Sequence, residues 1–248
     1  MNQKIKVKGI VLSSMPIGDY DKRIVLITKE GKLNAFAKGS RRPNSHLLAG
    51  SQTFVIGDFV IYKGKNSNSI NQIEIIKSFY ELRQDIEKMA YGLYFNEFVA
   101  YITDENIESS NIISLLAKSL HMLTKEIISN TLIRCIFELK ILSLSGLTPE
   151  IINCLIPNCN SNHNEYYFVV SEGGIMCKNH GKLNKKGIKI TEGTRYTMQY
   201  ILAAPINKLF SFNVSNKILM ELNFVLKEYL KYHFDFKFKS LEFIDNLY

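Results

Sequence analysis

Hydrophobic positions along the chain change their spacing once, near residue 81, and the change divides the sequence in two. Before it, KIKVKGIVLSS (4–14), KRIVLITKE (22–30), KLNAFAKGS (32–40), QTFVIGDFVIYKG (52–64) and SINQIEIIKSF (69–79) are rich in Ile, Val, Phe and Tyr, several with alternating apolar and polar positions. A period of two puts successive side chains on opposite faces of a strand, so the pattern predicts five half-buried strands. Turn-forming residues separate them: Pro16, Gly18 and Asp19 before the second, Glu30-Gly31-Lys32 between the second and third, and Lys65 to Ser69 before the fifth. A meander this short cannot bury both faces as an open sheet, and closure into a small barrel solves the problem. The OB-fold, a frequent platform for single-stranded nucleic acid, is the expected form.

From Glu81 the apolar positions recur at helical spacing. Leu82, Ile86, Met89, Leu93, Phe98 and Tyr101 predict the buried face of a long first helix. A second helix is expected to be capped near Ser109 or Ser110, with Ile113, Leu116, Leu120 and Leu123 inside. A third, TLIRCIFELKILSLSG, stops at Gly146, a residue suited to the left-handed conformation that ends helices. Cys135 lies in its apolar stripe and reads as a buried small hydrophobe. Two more helices are expected at about 192–202 and 215–233, the latter with Ile218, Leu222, Val225, Tyr229 and Leu230 at helical spacing. The expected class is α+β and multidomain: an N-terminal OB-fold barrel over residues 1–80, then an all-helical domain over 81–248 with a zinc-ribbon-like insertion at 150–190.

Charge sharpens this division. Residues 1–80 carry 13 Lys and Arg against 5 Asp and Glu, while residues 81–153 carry 6 against 10, so the overall +8 is concentrated on the barrel. A compact unit with a field of one sign attracts polyanions, of which nucleic acid is the commonest. The candidate contacts are Lys22 and Arg23 at the start of the second strand, Lys38, Arg41 and Arg42 at and after the third, and Lys63 with Lys65 after the fourth. A turn containing Gly39 would present Lys38 and the Arg41-Arg42 pair on an edge. Phe36 and Tyr62 could stack on bases, with packing in the barrel as the other reading for Phe36.

Signatures of catalysis are missing. There is no G-x-G-x-x-G, Lys38-Gly39-Ser40 lacks the upstream glycine of a phosphate loop, and neither H-E-x-x-H nor G-x-S-x-G occurs. The acids of the barrel are Asp19, Asp21, Glu30, Asp58 and Glu74, three of them in predicted turns, and they suggest no converging carboxylates for a two-metal nuclease. The chain is not expected to be an enzyme. It has no long apolar span, and MNQKIKVKG places charges where a signal peptide would be apolar, so a cytoplasmic, nucleoid-associated protein without membrane contact is expected.

Cysteine spacing adds one more element. Cys154 and Cys159 precede a strand-like EYYFVV, a turn at Gly173-Gly174, and then Cys177 and His180. Two ligands on one knuckle, a hairpin, and two on a second knuckle is the layout of a zinc ribbon. A closed four-ligand Zn2+ site leaves no position for substrate, so the metal would be structural. Unmetallated thiols are the alternative, and His163 competes with His180 for the fourth position.

Four separated stretches resemble the bacterial RecO family of DNA repair and recombination mediators. They are GDYDKRIVLITKEGKLNAFAKGSRRP (18–43), LIRCIFELKILSLSGLTPEIINC (132–154), EGGIMC (172–177) and YLKYHFDFKFKSLEF (229–243), which together span nearly the whole chain. The resemblance implies an OB-fold, a helical domain and a zinc ribbon that some members lack. It also implies binding of single- and double-stranded DNA, annealing of complementary strands, and partnership with RecR in loading RecA onto strands coated with single-strand-binding protein. An RNA-binding or ribosome-associated protein built from the same two modules is the competing expectation.

Overall fold

The computed structural model describes residues 3–159, 165–182 and 187–247. Its first five strands are β1 (Gln3–Ile17), β2 (Asp21–Thr28), β3 (Gly31–Ala37), β4 (Val55–Lys63) and β5 (Asn68–Ser78). They form a closed barrel in the order β1-β2-β3-β5-β4, the five-stranded barrel expected from the alternation. Closure rests on the length of β1, whose 15 residues serve two partners. Its first half pairs with β4 from Gln3 to Ile10, and its second half pairs with β2 from Gly9 to Ile17. Gly9 belongs to both ladders, and a Cβ there would come within 2.8 Å of the Ile27 carbonyl oxygen. Val11, Ile24, Leu26, Ala35, Phe59 and Ile61 fill the interior, and Leu47 joins them from the segment between β3 and β4.

Helix α1 (Ile86–Ile102) starts at Asp85, whose carboxylate accepts from the Glu87 and Lys88 amides at 3.0 and 3.1 Å. Its buried face differs from the one expected. Leu82 and Phe98 are buried as expected, but Ile86, Leu93 and Tyr101 are exposed, and Tyr91, Tyr94, Phe95 and Val99 are buried instead. The helix is apolar nearly all round because it packs on β1, on α2 (Ser110–Leu123) and on α7 (Lys239–Asp245), so no single stripe marks its interior. Asn96 donates to the Leu12 carbonyl at 2.8 Å, and the Lys32 ammonium donates to the Ala100 carbonyl at 2.8 Å. These bonds join α1 to the barrel, and the compact units run Met1–Lys125 with Phe238–Tyr248, and Glu126–Lys237. The barrel itself ends where the sequence period changes. Just before α7, Phe238 packs on Tyr94, Phe98 and Tyr101, and Glu97 accepts from the Lys239 and Ser240 amides.

The second unit is built on α3 (Asn130–Leu144), buried without interruption from Leu132 to Leu142. It is capped by Ser129, and the chain leaves it through Gly146 at φ 81°. Cys135 is fully buried, and burial pushes its thiol well above the ordinary value, as the hydrophobe reading requires. The ammonium of Lys140, also on α3, donates to the carbonyls of Leu202 (2.7 Å), Ala204 (2.9 Å) and Ile201 (3.3 Å), at the C-terminal end of α5 (Glu192–Ala203). At the other end of α5, Glu221 of α6 (Asn216–His233) accepts from the Thr191 amide and hydroxyl at 2.9 and 2.8 Å, and from the Thr194 hydroxyl. A cation at the C-terminus and an anion at the N-terminus both oppose the helix dipole.

The Glu221 cap yields an expectation for pH. Burial raises the Glu221 carboxyl, but the Thr194 and Thr191 bonds outweigh it, and the group sits below its ordinary value of 4.5. A depressed carboxyl stabilises the fold above its unfolded value and loses that contribution as pH falls through the folded one. Glu221→Gln should therefore lower unfolding stability by about 1–2 kcal/mol at pH 7. The difference from the parent should shrink between about pH 5 and pH 3, followed by urea denaturation at each pH.

Candidate nucleic-acid interface and metal centre

Register places the basic residues of the barrel. Reading across the strands, Met15 lies opposite Arg23, Arg23 opposite Phe36, Phe36 beside Ser69, and Ser69 opposite Tyr62. On every strand the residues beyond this row lead to a connection at the same end of the barrel. Three connections meet there: Gly18–Tyr20, the segment after Ala37, and the turn between Lys63 and Asn68. In barrels of this fold, the face of the second and third strands with the flanking first and last turns is the usual oligonucleotide surface.

Two of these connections are bonded together. Gly39, at φ 63°, donates its amide to Asp21 Oδ1 at 2.7 Å. The Arg41 amide donates to the Tyr20 carbonyl at 2.9 Å, and its guanidinium donates to the Gly18 carbonyl at 3.0 Å. The Arg42 guanidinium lies 5.1 Å from the centre of the Tyr20 ring. Lys38, Arg41 and Arg42 are all exposed, so the turn presents three cations on a braced loop. Arg23 is exposed on the outer face, 3.4 Å from Asn34 Oδ1, and Lys63 and Lys65 are exposed at the last turn. Phe36 and Tyr62 are half-buried on the outside of the barrel, one strand to either side of Ser69 and so about 10 Å apart.

Lys22 departs from the expectation of an exposed contact. It alternates with inward-facing Ile24 and Leu26, is only 7% exposed, and donates to Ser51 Oγ at 3.2 Å. Burial, and then the charges of Arg41 and Arg83, pull its amine below the ordinary value. The alternation itself carried this signal. Tyr20, which supports Arg42, and Lys4, opposite Tyr62, are neighbours of the basic face that composition alone did not single out.

The cysteine segment folds as a three-stranded sheet in the order β7-β6-β8, with β6 (Glu165–Val169), β7 (Gly174–Cys177) and β8 (Ile188–Thr191). The hairpin was expected; β8, only four residues long, was not. The ligand atoms of Cys154, Cys159, Cys177 and His180 all lie within 4.8 Å of one another. Cys159 Sγ is 3.7 Å from Cys177 Sγ, and His180 Nδ1 is 3.3 Å from Cys177 Sγ and 3.5 Å from Cys154 Sγ. Ordinary zinc–sulfur and zinc–nitrogen bonds in a tetrahedron give edges of about 3.8 Å between sulfurs and about 3.5 Å from sulfur to nitrogen. The four side chains thus fit a tetrahedral metal ion, and His180 presents Nδ1 to the three sulfurs. His163 lies outside the described residues.

The first knuckle is also held from α5. Arg195 donates to the Ile151 and Ile152 carbonyls at 3.1 and 2.7 Å while its guanidinium stacks 4.4 Å from the Tyr166 ring centre. Gln199 donates to the Ile151 carbonyl at 2.8 Å. Gly181, the last residue of the short helix α4 (Lys178–Gly181), lets the second knuckle pass against Tyr167, since a Cβ there would lie 2.6 Å from the ring. No helix among the described residues is long and apolar enough to cross a membrane.

A basic barrel with its turns gathered at one end, followed by a helical unit bearing a Cys3His cluster, defines a class of multidomain nucleic-acid-binding proteins. Family models give the particular member of that class: the one described as recombination protein O N terminal matches residues 1–79, and recombination protein O C terminal matches residues 83–242. The chain belongs to this RecO family of DNA repair and recombination proteins. It is 37% identical to a DNA repair protein RecO of Alkaliphilus metalliredigens over 96% of this chain and 97% of the relative. A protein of the same name from Acetivibrio thermocellus is 35% identical over 98% and 97% of the two chains, and one from Clostridium novyi is 30% identical over 98% and 94%.

Proposed function

We propose that the chain is a DNA-binding recombination mediator that holds single- and double-stranded DNA on its barrel and anneals complementary strands. The gathering of Lys38, Arg41, Arg42, Lys63 and Lys65 at one end, beside Arg23, Phe36 and Tyr62, is the observation that carries this reading. Annealing needs no covalent step. It needs phosphate repulsion offset while base edges stay free to pair, and Lys and Arg side chains do this by displacing counterions. Phe36 and Tyr62 offer ring surface for sequence-tolerant stacking. Membership of the RecO family supports RecR as a partner and the loading of RecA onto strands coated with single-strand-binding protein. The barrel residues 1–80 hold DNA, and the net-negative helices between residues 81 and 153 supply surface for protein contacts. Zinc in the Cys3His cluster is structural, because three thiolates and an imidazole close the tetrahedron and leave no ligand position for a substrate.

The test is annealing of complementary labelled oligonucleotides, with and without chelator. Annealing that proceeds with strands intact supports the reading; metal-dependent loss of labelled strand, or a preference for folded RNA over single-stranded DNA, would overturn it.

A further inference from the structure

The helix α6 has two unlike faces. Leu222, Val225, Leu226, Tyr229 and Leu230 are buried, while Lys217, Met220, Phe224, Lys227 and Lys231 form an exposed stripe with alternating spacings of three and four residues. That spacing is the one used by helices to bury an apolar seam, yet here Met220 is 70% and Phe224 54% exposed. Tyr232, beside Lys231, is 56% exposed. Along the stripe lies a groove of about 430 Å3, with Val170 and Ile188 on one side and Phe224, Lys231 and Tyr232 on the other. Glu228 also lines it, and Glu221 is turned away to Thr191 and Thr194. Lysines thus outnumber acids on the exposed side of this helix, and they alternate with aromatic rings.

Cations tracking a backbone beside exposed rings are the two elements of a surface for single-stranded nucleic acid. An annealing protein must hold two strands at once, and the barrel face accounts for one of them. We propose that the exposed stripe of α6, with its groove, is a second single-stranded DNA surface that holds the strand the barrel does not. This rests on the annealing reading above. Bases pack against Phe224 and Tyr232, and phosphates lie along Lys217, Lys227 and Lys231.

The chain contains no tryptophan, so Phe224→Trp in the full chain provides a single indole reporter on α6, and Tyr62→Trp provides one on the barrel. Titration with unlabelled oligothymidylate at low salt should quench both through base stacking. Lys227→Ala with Lys231→Ala should weaken the α6 response several-fold, leave the Tyr62→Trp titration unchanged, and slow annealing by about tenfold. Met220→Trp, one turn earlier on the stripe, repeats the test should the first indole be badly placed. If Tyr62→Trp responds while both α6 reporters stay silent at excess oligonucleotide, the α6 surface is refuted and the barrel reading stands. Silence from all three reporters refutes both. An α6 response to an acidic oligopeptide with none to oligothymidylate would assign the stripe to a protein partner and overturn the proposal.

Discussion

Replacing Lys38, Arg41 and Arg42 together with alanine is expected to weaken single-stranded DNA binding roughly 10- to 100-fold near physiological salt, and to lower the slope of log affinity against log salt by about 2. The slope follows from three lost phosphate contacts at about 0.7 each on a single strand. The affinity loss rests on bracing: Arg41 is bonded to Gly18 and Arg42 lies on Tyr20, so the loop meets DNA with little side-chain freedom left to lose. Because Arg41 helps to depress the Lys22 amine, its removal should also let that buried group titrate closer to its ordinary value. Anisotropy titrations at several salt concentrations measure both quantities. An unchanged slope would show that this loop does not meet phosphate.

Loss of the metal is expected to act on stability and not on annealing. An ion in the Cys3His cluster would join the two knuckles, so chelation or Cys154→Ser would separate them, and the sheet between them has few buried apolar groups of its own beyond Phe168, Val169, Ile175 and Ile190. A structural zinc contributes directly to folding. A cost of several kcal/mol should lower the thermal midpoint of the affected unit by about 10 °C in calorimetry. Annealing per folded molecule should stay near the parent value, since no barrel residue belongs to the cluster. A cobalt-substituted protein should show the absorption of a tetrahedral thiolate site, and octahedral spectra would contradict the assigned ligands.

Much of this architecture was legible in the sequence because its signals are local. Several of the barrel strands alternate clearly enough to be read singly, and Ser109, Ser215 and Gly146 mark helix ends where the structure has them. Where several neighbours compete for one element, the signal fails. The α1 pattern gave the wrong face because barrel, helix and C-terminal segment each cover a different side of it. Lys22 was read by its charge when the alternation with Ile24 and Leu26 turned it inward. The clustering of the three cysteines with His180 was legible from spacing, but Arg195 and Gln199, which hold the first knuckle from more than 40 residues away, have no sequence signature. Nor does Lys140, a charge inside an apolar helix whose partners are backbone carbonyls.

That long-range support has a consequence for how the protein is made. All four residues of the Cys3His cluster lie between 154 and 180, so they emerge from the ribosome while α5 at 192–203, which supplies Arg195 and Gln199, is still inside the exit tunnel. An ion captured at that stage would be held by thiolates and imidazole alone, with no contact from α5 to fix the first knuckle. Once α5 is synthesised and seated between Lys140 and Glu221, the same knuckle acquires a fixed backbone. A metal taken up during synthesis would therefore meet the two knuckles before Arg195 and Gln199 fix the first of them.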